Sequence, residues 1–151
     1  MDFLYRWYRK LADRIIEASK LILSKYKGKA QNIWNDEPTV DELIDRLEEF
    51  KGISQKKSTM TARILKKDYG IKIKGKIDVS CDVHVKRVFL RTGLVEKNSN
   101  SEVIKAAREL NPRDPSALDE PAWRIGREFC HSKNPECNKC PLGKICPKVG
   151  V

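Results

Sequence analysis

The sequence predicts an all-α protein, and three observations lead to that prediction. Apolar residues recur every three or four positions in several segments, as expected for helices that bury one face. Residues typical of helix starts and helix ends separate these segments. The one alternating stretch, IKIKGKIDVS at 71–80, is short and suits either a hairpin or an extended lysine-rich loop, so we predict no regular element there.

The first predicted helix is long and amphipathic. Its apolar stripe is typical of a helix that packs one face against a partner and consists of Leu4, Trp7, Tyr8, Leu11, Ile15, Ala18 and Ile22. The other face is either a solvated surface or a binding surface, and it carries Arg6, Arg9, Lys10, Arg14 and Lys20. Gly28 and the polar residues up to Pro38 end the helical pattern.

Residues 40–69 are predicted to form two helices joined by a tight turn. Thr39 and Glu42 have the spacing of a capping box, and Gly52 ends the helix that follows it. Ser54 can cap the next helix, which runs toward Tyr69. The predicted inward-facing residues of the pair are Val40, Leu43, Ile44, Leu47, Phe50, Ala62, Ile64 and Leu65.

Three further helices are predicted in the second half of the chain. Asp82 can cap a helix from Val83 to about Thr92, which Gly93 ends. A second follows the polar turn KNSNS at 97–101 and ends at Asn111, and the last is PAWRIGREFC at 121–130. The first of these helices is predicted to turn Val85, Val88 and Phe89 inward. The apolar residues that predict the second helix are Val103, Ile104, Ala107 and Leu110.

Composition favours an anionic partner. The 151 residues suffice for one domain or two small lobes, and Lys plus Arg outnumber Asp plus Glu by 31 to 21, a net charge of +10. Nucleic acid ranks first as the partner, an acidic membrane surface second and plain solubility third. No segment approaches the ~20 apolar residues of a membrane span, and the charged N-terminus lacks a secretory signal, so we expect a cytoplasmic protein.

Four cysteines near the C-terminus follow the pattern C-x6-C-x2-C-x5-C. They are Cys130, Cys137, Cys140 and Cys146. Thiolates at this spacing suit zinc or an iron–sulfur cluster, whereas a disulfide pair is disfavoured because nothing marks the chain as secreted. Structural zinc sites usually use two short C-x2-4-C pairs. Only one such pair occurs here, which favours a cluster and leaves zinc as the alternative.

Two motifs carry a resemblance to a known family. One is the cysteine spacing, preceded by the helix PAWRIGREFC, and the other is FKGISQKKS at 50–58 followed by CDVHVKRV at 81–88. Across residues 40–148 the chain resembles the endonuclease III-like, helix-hairpin-helix DNA glycosylases that carry a [4Fe–4S] loop. The resemblance implies a helix-hairpin-helix half-barrel at 1–75, with the hairpin motif at about 40–69, and a helical domain at 76–151 that ends in a cluster loop at 130–146.

The same resemblance implies a role in DNA base-excision repair, on damaged or abasic double-stranded DNA near the nucleoid. Lys56 matches the family's nucleophilic lysine, which forms a Schiff base with the deoxyribose, and Asp82 matches its activating aspartate. An amine is nucleophilic as the free base, which burial or a neighbouring cation such as Lys57 favours. Lys57 therefore remains an alternative nucleophile.

Residues expected to contact DNA lie in the hairpin and in the cysteine loop. They are Gly52, Ser54, Gln55, Lys57 and Lys133. The family usually has a second glycine where Ser54 stands, so this contact is expected to be reshaped. His84 is expected to be structural, and Cys81 to be a small buried residue. Basic residues that either contact DNA or compensate the cluster's charge are Arg124, Arg127 and Lys139.

Part of the family's fold is expected to be absent. Residues 5–16 resemble a helix from the middle of the family's barrel, which further helices precede. Three explanations stay open: a fragment of a longer enzyme, a short form completed by self-association or by a partner chain, and a non-catalytic, sequence-independent DNA-binding module. A zinc-holding structural domain is a third functional class.

Overall fold

A computed structural model of the protein describes residues 7–151, and every regular element in that range is helical. The helices are α1 (Tyr8–Lys25), α2 (Val40–Glu48), α3 (Gln55–Lys67), α4 (Val83–Arg91), α5 (Asn100–Leu110) and α6 (Asp119–Glu128). Short 3-10 turns lie at Ala30–Ile33 and Pro115–Leu118. Residues 71–80 form no strand, and Lys74 makes a single parallel bridge to Thr39. The predicted all-α class is confirmed.

The chain divides into two compact units, Met1–Gly75 and Lys76–Val151. The first unit contains α1, α2 and α3, and the second contains α4, α5 and α6. The assignment of these parts as a partial barrel domain and a cluster domain stays a prediction.

Helix α1 forms as predicted, but the described residues leave the first half of its apolar stripe largely exposed. No residue of α1 is buried, and Leu11 and Ile15 remain 47% and 58% exposed. Ala18 and Ile22, farther along the stripe, are half-buried. The predicted stripe began at Leu4, which lies outside the described residues. Amphipathicity selects the face of a helix that avoids water without specifying what covers that face.

The α2–α3 pair follows its local signals closely. Both capping-box bonds are present, since Glu42 N–H donates to Thr39 Oγ1 at 3.3 Å and Thr39 N–H donates to Glu42 Oε2 at 2.8 Å. Ser54 stands at the N-cap position of α3, but its side chain makes no capping bond, which corrects the predicted role. Helix α3 ends at Lys67, and Tyr69 beyond it is exposed.

The second unit has a well-formed apolar core. It consists of Val79, Cys81, Val85, Val88, Phe89, Val95, Val103, Ala106, Ala107 and Ala122. Helices α4 and α6 pack closely at Gly126, where an added Cβ would lie 2.6 Å from His84 Cβ. Leu110, one of the apolar residues that predicted α5, lies in its last turn and is 52% exposed, whereas Val103 and Ala107 are buried. Buried Cys81 agrees with its predicted place, and burial raises the pKa of its thiol to about 11.

Local capping signals also place the helices of this unit. The Asp82 carboxylate accepts a bond from His84 N–H at 2.8 Å, as predicted for a cap of α4. Ser99 accepts from Glu102 N–H at the start of α5. Helix α6 begins two residues before Pro121, which lies in the first turn, where a missing N–H leaves no intrahelical bond unmade.

Candidate functional site

The turn between α2 and α3 is built on Gly52. Its φ of +93° belongs to the left-handed region that favours glycine. The turn closes through a 2.9 Å bond from Ile53 N–H to the Phe50 carbonyl. A Cβ on Gly52 would lie 2.5 Å from Arg14 Nε, so the space above this glycine is already taken by a side chain from α1. Glycine is therefore favoured by the backbone conformation at position 52, and a side chain there would displace the Arg14 guanidinium.

The start of α3 presents an exposed, positively polarised end. Ser54, Gln55, Lys56 and Lys57 are all exposed, and the first turn of α3 contains no acidic residue. The first N–H groups of a helix have no intrahelical partners, and the helix dipole adds positive potential there. Without a capping side chain from Ser54, this end of α3 can accept an anion.

The two lysines at this helix start differ in their surroundings. The Lys57 ammonium reaches back across the turn and donates to the Gly52 carbonyl at 2.8 Å. Lys56 extends from an exposed position in the same turn of α3. Ser58, which follows Lys57, is fully buried and donates to Glu48 Oε1 at 2.9 Å. This bond fixes the start of α3 against the end of α2.

Asp82 lies in the second unit, directly before the first residue of α4. Asp82 is 9% exposed as a residue, and its carboxylate caps α4. His84 Nδ1 lies 2.8 Å from Arg87 Nη2, in agreement with the predicted structural role of His84. The same Arg87 donates to the backbone carbonyls of Gly126 and Cys130, so the first turns of α4 contact the start of the loop.

The four loop cysteines are free and partly exposed. The loop is coiled into short turns, in which Cys140 N–H donates to the Glu136 carbonyl and Cys146 N–H to the Leu142 carbonyl. A Cβ on Gly143 would lie 2.2 Å from the Cys137 carbonyl oxygen, so only glycine fits this coil. The sequence analysis missed Gly143, and a glycine between two loop cysteines was the available signal.

Arg91, the last residue of α4, holds both ends of the cysteine loop. Its guanidinium is among the buried charged groups and donates to Cys130 Sγ at 3.5 Å and to the carbonyls of His131 and Ser132. Its own carbonyl accepts from Cys146 Sγ at 3.3 Å. The sequence analysis missed Arg91, although an arginine directly after the apolar stripe of α4 could have marked it.

The donor chemistry of the loop fits a thiolate-held cluster. Lys148 N–H lies 3.4 Å from Cys146 Sγ, so the first and last cysteine sulfurs each have an N–H donor. Such donors stabilise sulfur that carries negative charge. Among residues 7–151, no three His, Cys, Asp or Glu side chains are placed to share one metal ion. A cubane does not require that arrangement, because each cysteine can bind a different iron.

The basic residues near the loop differ in whether they already contact a partner within the protein. Lys139 pairs with Glu136 at 2.6 Å, and Arg124 pairs with Glu120 at 2.6 Å. The Arg127 guanidinium lies over the Trp123 ring, 4.9 Å from its centroid. Lys133 is exposed and makes no ion pair with any described residue. Lys133 is therefore available to an outside anion.

Comparison with known proteins points to one group of relatives. The chain is 27% identical to "Endonuclease III" of Thermotoga maritima over 140 residues, which are 92% of this chain and 57% of that protein. It is 26% identical to "Endonuclease III" of Buchnera aphidicola over 92% of this chain and 57% of the relative. It is 24% identical to "Endonuclease III" of Synechocystis over 95% of this chain and 58% of the relative. The chain thus spans somewhat more than half the length of these relatives.

No protein-family model matches the chain. A search for membrane-spanning segments among the described residues found no helix with the necessary length and apolar character.

Proposed function

Because the chain is endonuclease III-like in sequence, we propose that it acts in DNA base-excision repair, as a DNA glycosylase and abasic-site lyase. The observation that carries this proposal is the turn at Gly52, which leads into the uncapped, exposed start of α3 with Lys56 in its first turn. Binding of DNA phosphate and attack on an adjacent sugar would then be performed from one short segment.

The hairpin supplies the phosphate contacts in this proposal. Gly52 lets the backbone approach closely, and the N–H groups at the start of α3 bind the phosphate with help from Ser54, Gln55 and Lys57. These contacts position DNA without reading its sequence. Lys133 adds a further phosphate contact from the cysteine loop, in keeping with the chain's net charge of +10.

Lys56 is the proposed nucleophile. Its free amine attacks C1′ of the target deoxyribose, and the bond from C1′ to the base breaks with the base as the leaving group. Loss of the amine proton and opening of the sugar ring leave a Schiff base, from which β-elimination breaks the 3′ C–O bond of the strand. Lys57, whose ammonium donates to the Gly52 carbonyl, remains the alternative nucleophile.

Asp82 is the proposed activating aspartate. Its carboxylate caps the start of α4, and in this proposal the same carboxylate stabilises positive charge that develops on the sugar.

The cysteine loop is the proposed site of a [4Fe–4S] cluster held by Cys130, Cys137, Cys140 and Cys146. When bound, such a cluster cross-links the loop and so stabilises its fold. Arg91 and the Lys148 N–H would donate to the end cysteines. Zinc remains the alternative, but it would need all four sulfurs about 2.3 Å from one ion.

A second candidate function is a non-catalytic DNA-binding module stabilised by the cluster. The exposure of Lys56 favours it, because nucleophilic lysines are usually activated by desolvation or by adjacent cations. Binding to phosphate alone requires neither Lys56 nor Asp82. Self-association, or a partner chain, is proposed to cover the exposed stripe of α1.

Borohydride trapping on an oligonucleotide with one abasic site tests the proposal. The purified chain should form a covalent adduct with the strand, Lys56→Ala should form none, and Lys57→Ala should form it at a rate within a few-fold of the parent. Lys57→Ala is the matched control because it removes the same charge from the adjacent position.

Two other outcomes have definite meanings. An adduct that survives Lys56→Ala and disappears in Lys57→Ala would reassign the nucleophile. Salt-sensitive DNA binding by a chain that forms no adduct at all would favour the binding module.

A further inference from the structure

A side chain of α1 reaches the hairpin turn. An ideal Cβ placed on Gly52 would lie 2.5 Å from Arg14 Nε, 2.6 Å from its Cζ and 2.9 Å from its Cδ. The guanidinium therefore lies directly against the bare Cα of this glycine. Residues 14 and 52 belong to the same compact unit, so the contact is internal to that unit.

The Arg14 guanidinium has its donors available. It makes no hydrogen bond or ion pair with any residue in the described part of the chain, although it has five N–H donors. Other cations of α1 are engaged: Lys20 pairs with Glu17 at 3.1 Å, and Lys25 pairs with Glu49. Arg14 is exposed, so its contact with the hairpin leaves the donors open to an outside ligand.

The hairpin segment that Arg14 contacts is positively charged. Residues 51–57 include three lysines and no acidic residue, and the Lys57 ammonium also contacts Gly52 through its carbonyl. At the end of α2, Glu48 accepts a bond from Ser58, and Glu49 pairs with Lys25. Two cations that meet at one glycine repel each other unless an anion lies between or beside them.

We infer that Arg14 binds a backbone phosphate of the DNA that the hairpin holds, as an additional phosphate-binding residue contributed by α1. This inference rests on the proposed function and adds a residue to its DNA site. A guanidinium suits this task because its planar donors can bind two phosphate oxygens at once. The contact also gives Gly52 a second purpose, since any side chain there would displace Arg14.

The test is the affinity of the full chain for a 20-base-pair duplex with an abasic-site analogue, measured over a series of KCl concentrations. Arg14→Gln should weaken binding about ten-fold. It should also reduce the slope of log K against log salt by about 0.9, the value for one lost phosphate contact. Lys20→Gln removes the same charge from the same helix and should leave the slope unchanged.

The two proposals can fail separately. If the parent chain binds the duplex and forms the borohydride adduct, and Arg14→Gln behaves like Lys20→Gln, Arg14 has no phosphate contact and only the inference fails. If the parent chain does not bind DNA, the proposed function fails and the inference falls with it.

Thermal unfolding of Arg14→Gln and Lys20→Gln distinguishes a loss of DNA binding from a loss of folding. Arg14→Lys decides the matter if Arg14→Gln is unstable, because it keeps the charge and loses the planar donors. A salt slope like the parent's, with an affinity below the parent's, supports the inference. A slope about 0.9 smaller than the parent's overturns it, because the charge at position 14 would then make no contact.

Discussion

Helices α1 and α4 are both amphipathic, yet they are used in opposite ways. The 18 residues of α1 include no buried side chain, whereas the nine residues of α4 bury Val85, Val88, Phe89 and Arg91. Helix α4 packs against α6 and α5 within its own unit. The comparison teaches that an apolar stripe predicts a helix and a face, while burial depends on what the rest of the fold supplies.

One arginine on each helix shows the same difference in burial. Arg91 of α4 is enclosed and bonded to three groups of the cysteine loop. Arg14 of α1 lies against the hairpin and keeps its donors available. An arginine can therefore stabilise a fold or remain available to bind a ligand, depending on whether neighbouring groups accept its hydrogen bonds.

The largest expected effect comes from deleting core volume in α4. Phe89 is 2% exposed, so Phe89→Ala should lower the free energy of unfolding by about 3–5 kcal/mol, through lost burial and a residual cavity. Leu11→Ala on α1 should change it by less than ~0.5 kcal/mol because Leu11 is 47% exposed. Urea unfolding of both variants measures the difference. Equal losses would show that α1 is covered in solution.

A smaller effect is expected from Arg91→Met. The variant leaves the carbonyls of His131 and Ser132 without their donor, and we expect a loss of about 2–3 kcal/mol. Iron and sulfide content after purification should also fall. Arg9→Met is the matched control on α1, and it should retain the parent's iron. A variant at position 91 with full iron and unchanged unfolding would contradict the role given to this arginine.

The smallest effect on stability, but a clear one on assembly, is expected from Ile15→Glu. Ile15 is 58% exposed, so the charge should alter the free energy of unfolding by less than ~0.5 kcal/mol. If the α1 stripe drives self-association, sedimentation velocity should show a concentration-dependent mass for the parent and a monomer for Ile15→Glu. A parent that is monomeric at every concentration would remove self-association and leave a separate partner chain as the proposal.

Local signals accounted for most of the helices. The Thr39–Glu42 capping box and the Asp82 cap were read from residues two or three positions apart, and both bonds are present. Ser54 shows the limit of such signals, because it occupies the predicted cap position without making the bond. A capping side chain has other rotamers available, so residue type alone does not decide which one is adopted.

The sequence predicted the motifs of the candidate site. It did not predict the contacts that support them. The cysteine spacing and the segment around Lys56 are visible in the sequence because their residues are close along the chain. Gly143 and Arg91 were missed because their partners are carbonyl and sulfur atoms whose positions depend on the coiling of the loop.

The sequence by itself determined the helical class, the positions of the caps, the basic charge and the cysteine set. These properties depend on residue types and on interactions within one helical turn. Only the tertiary structure decided that Arg14 lies on Gly52, that Arg91 holds both ends of the cysteine loop and that α1 keeps its apolar stripe exposed. These contacts join residues tens of positions apart, so they depend on the path of the whole chain and on the cost of closing the loops between them.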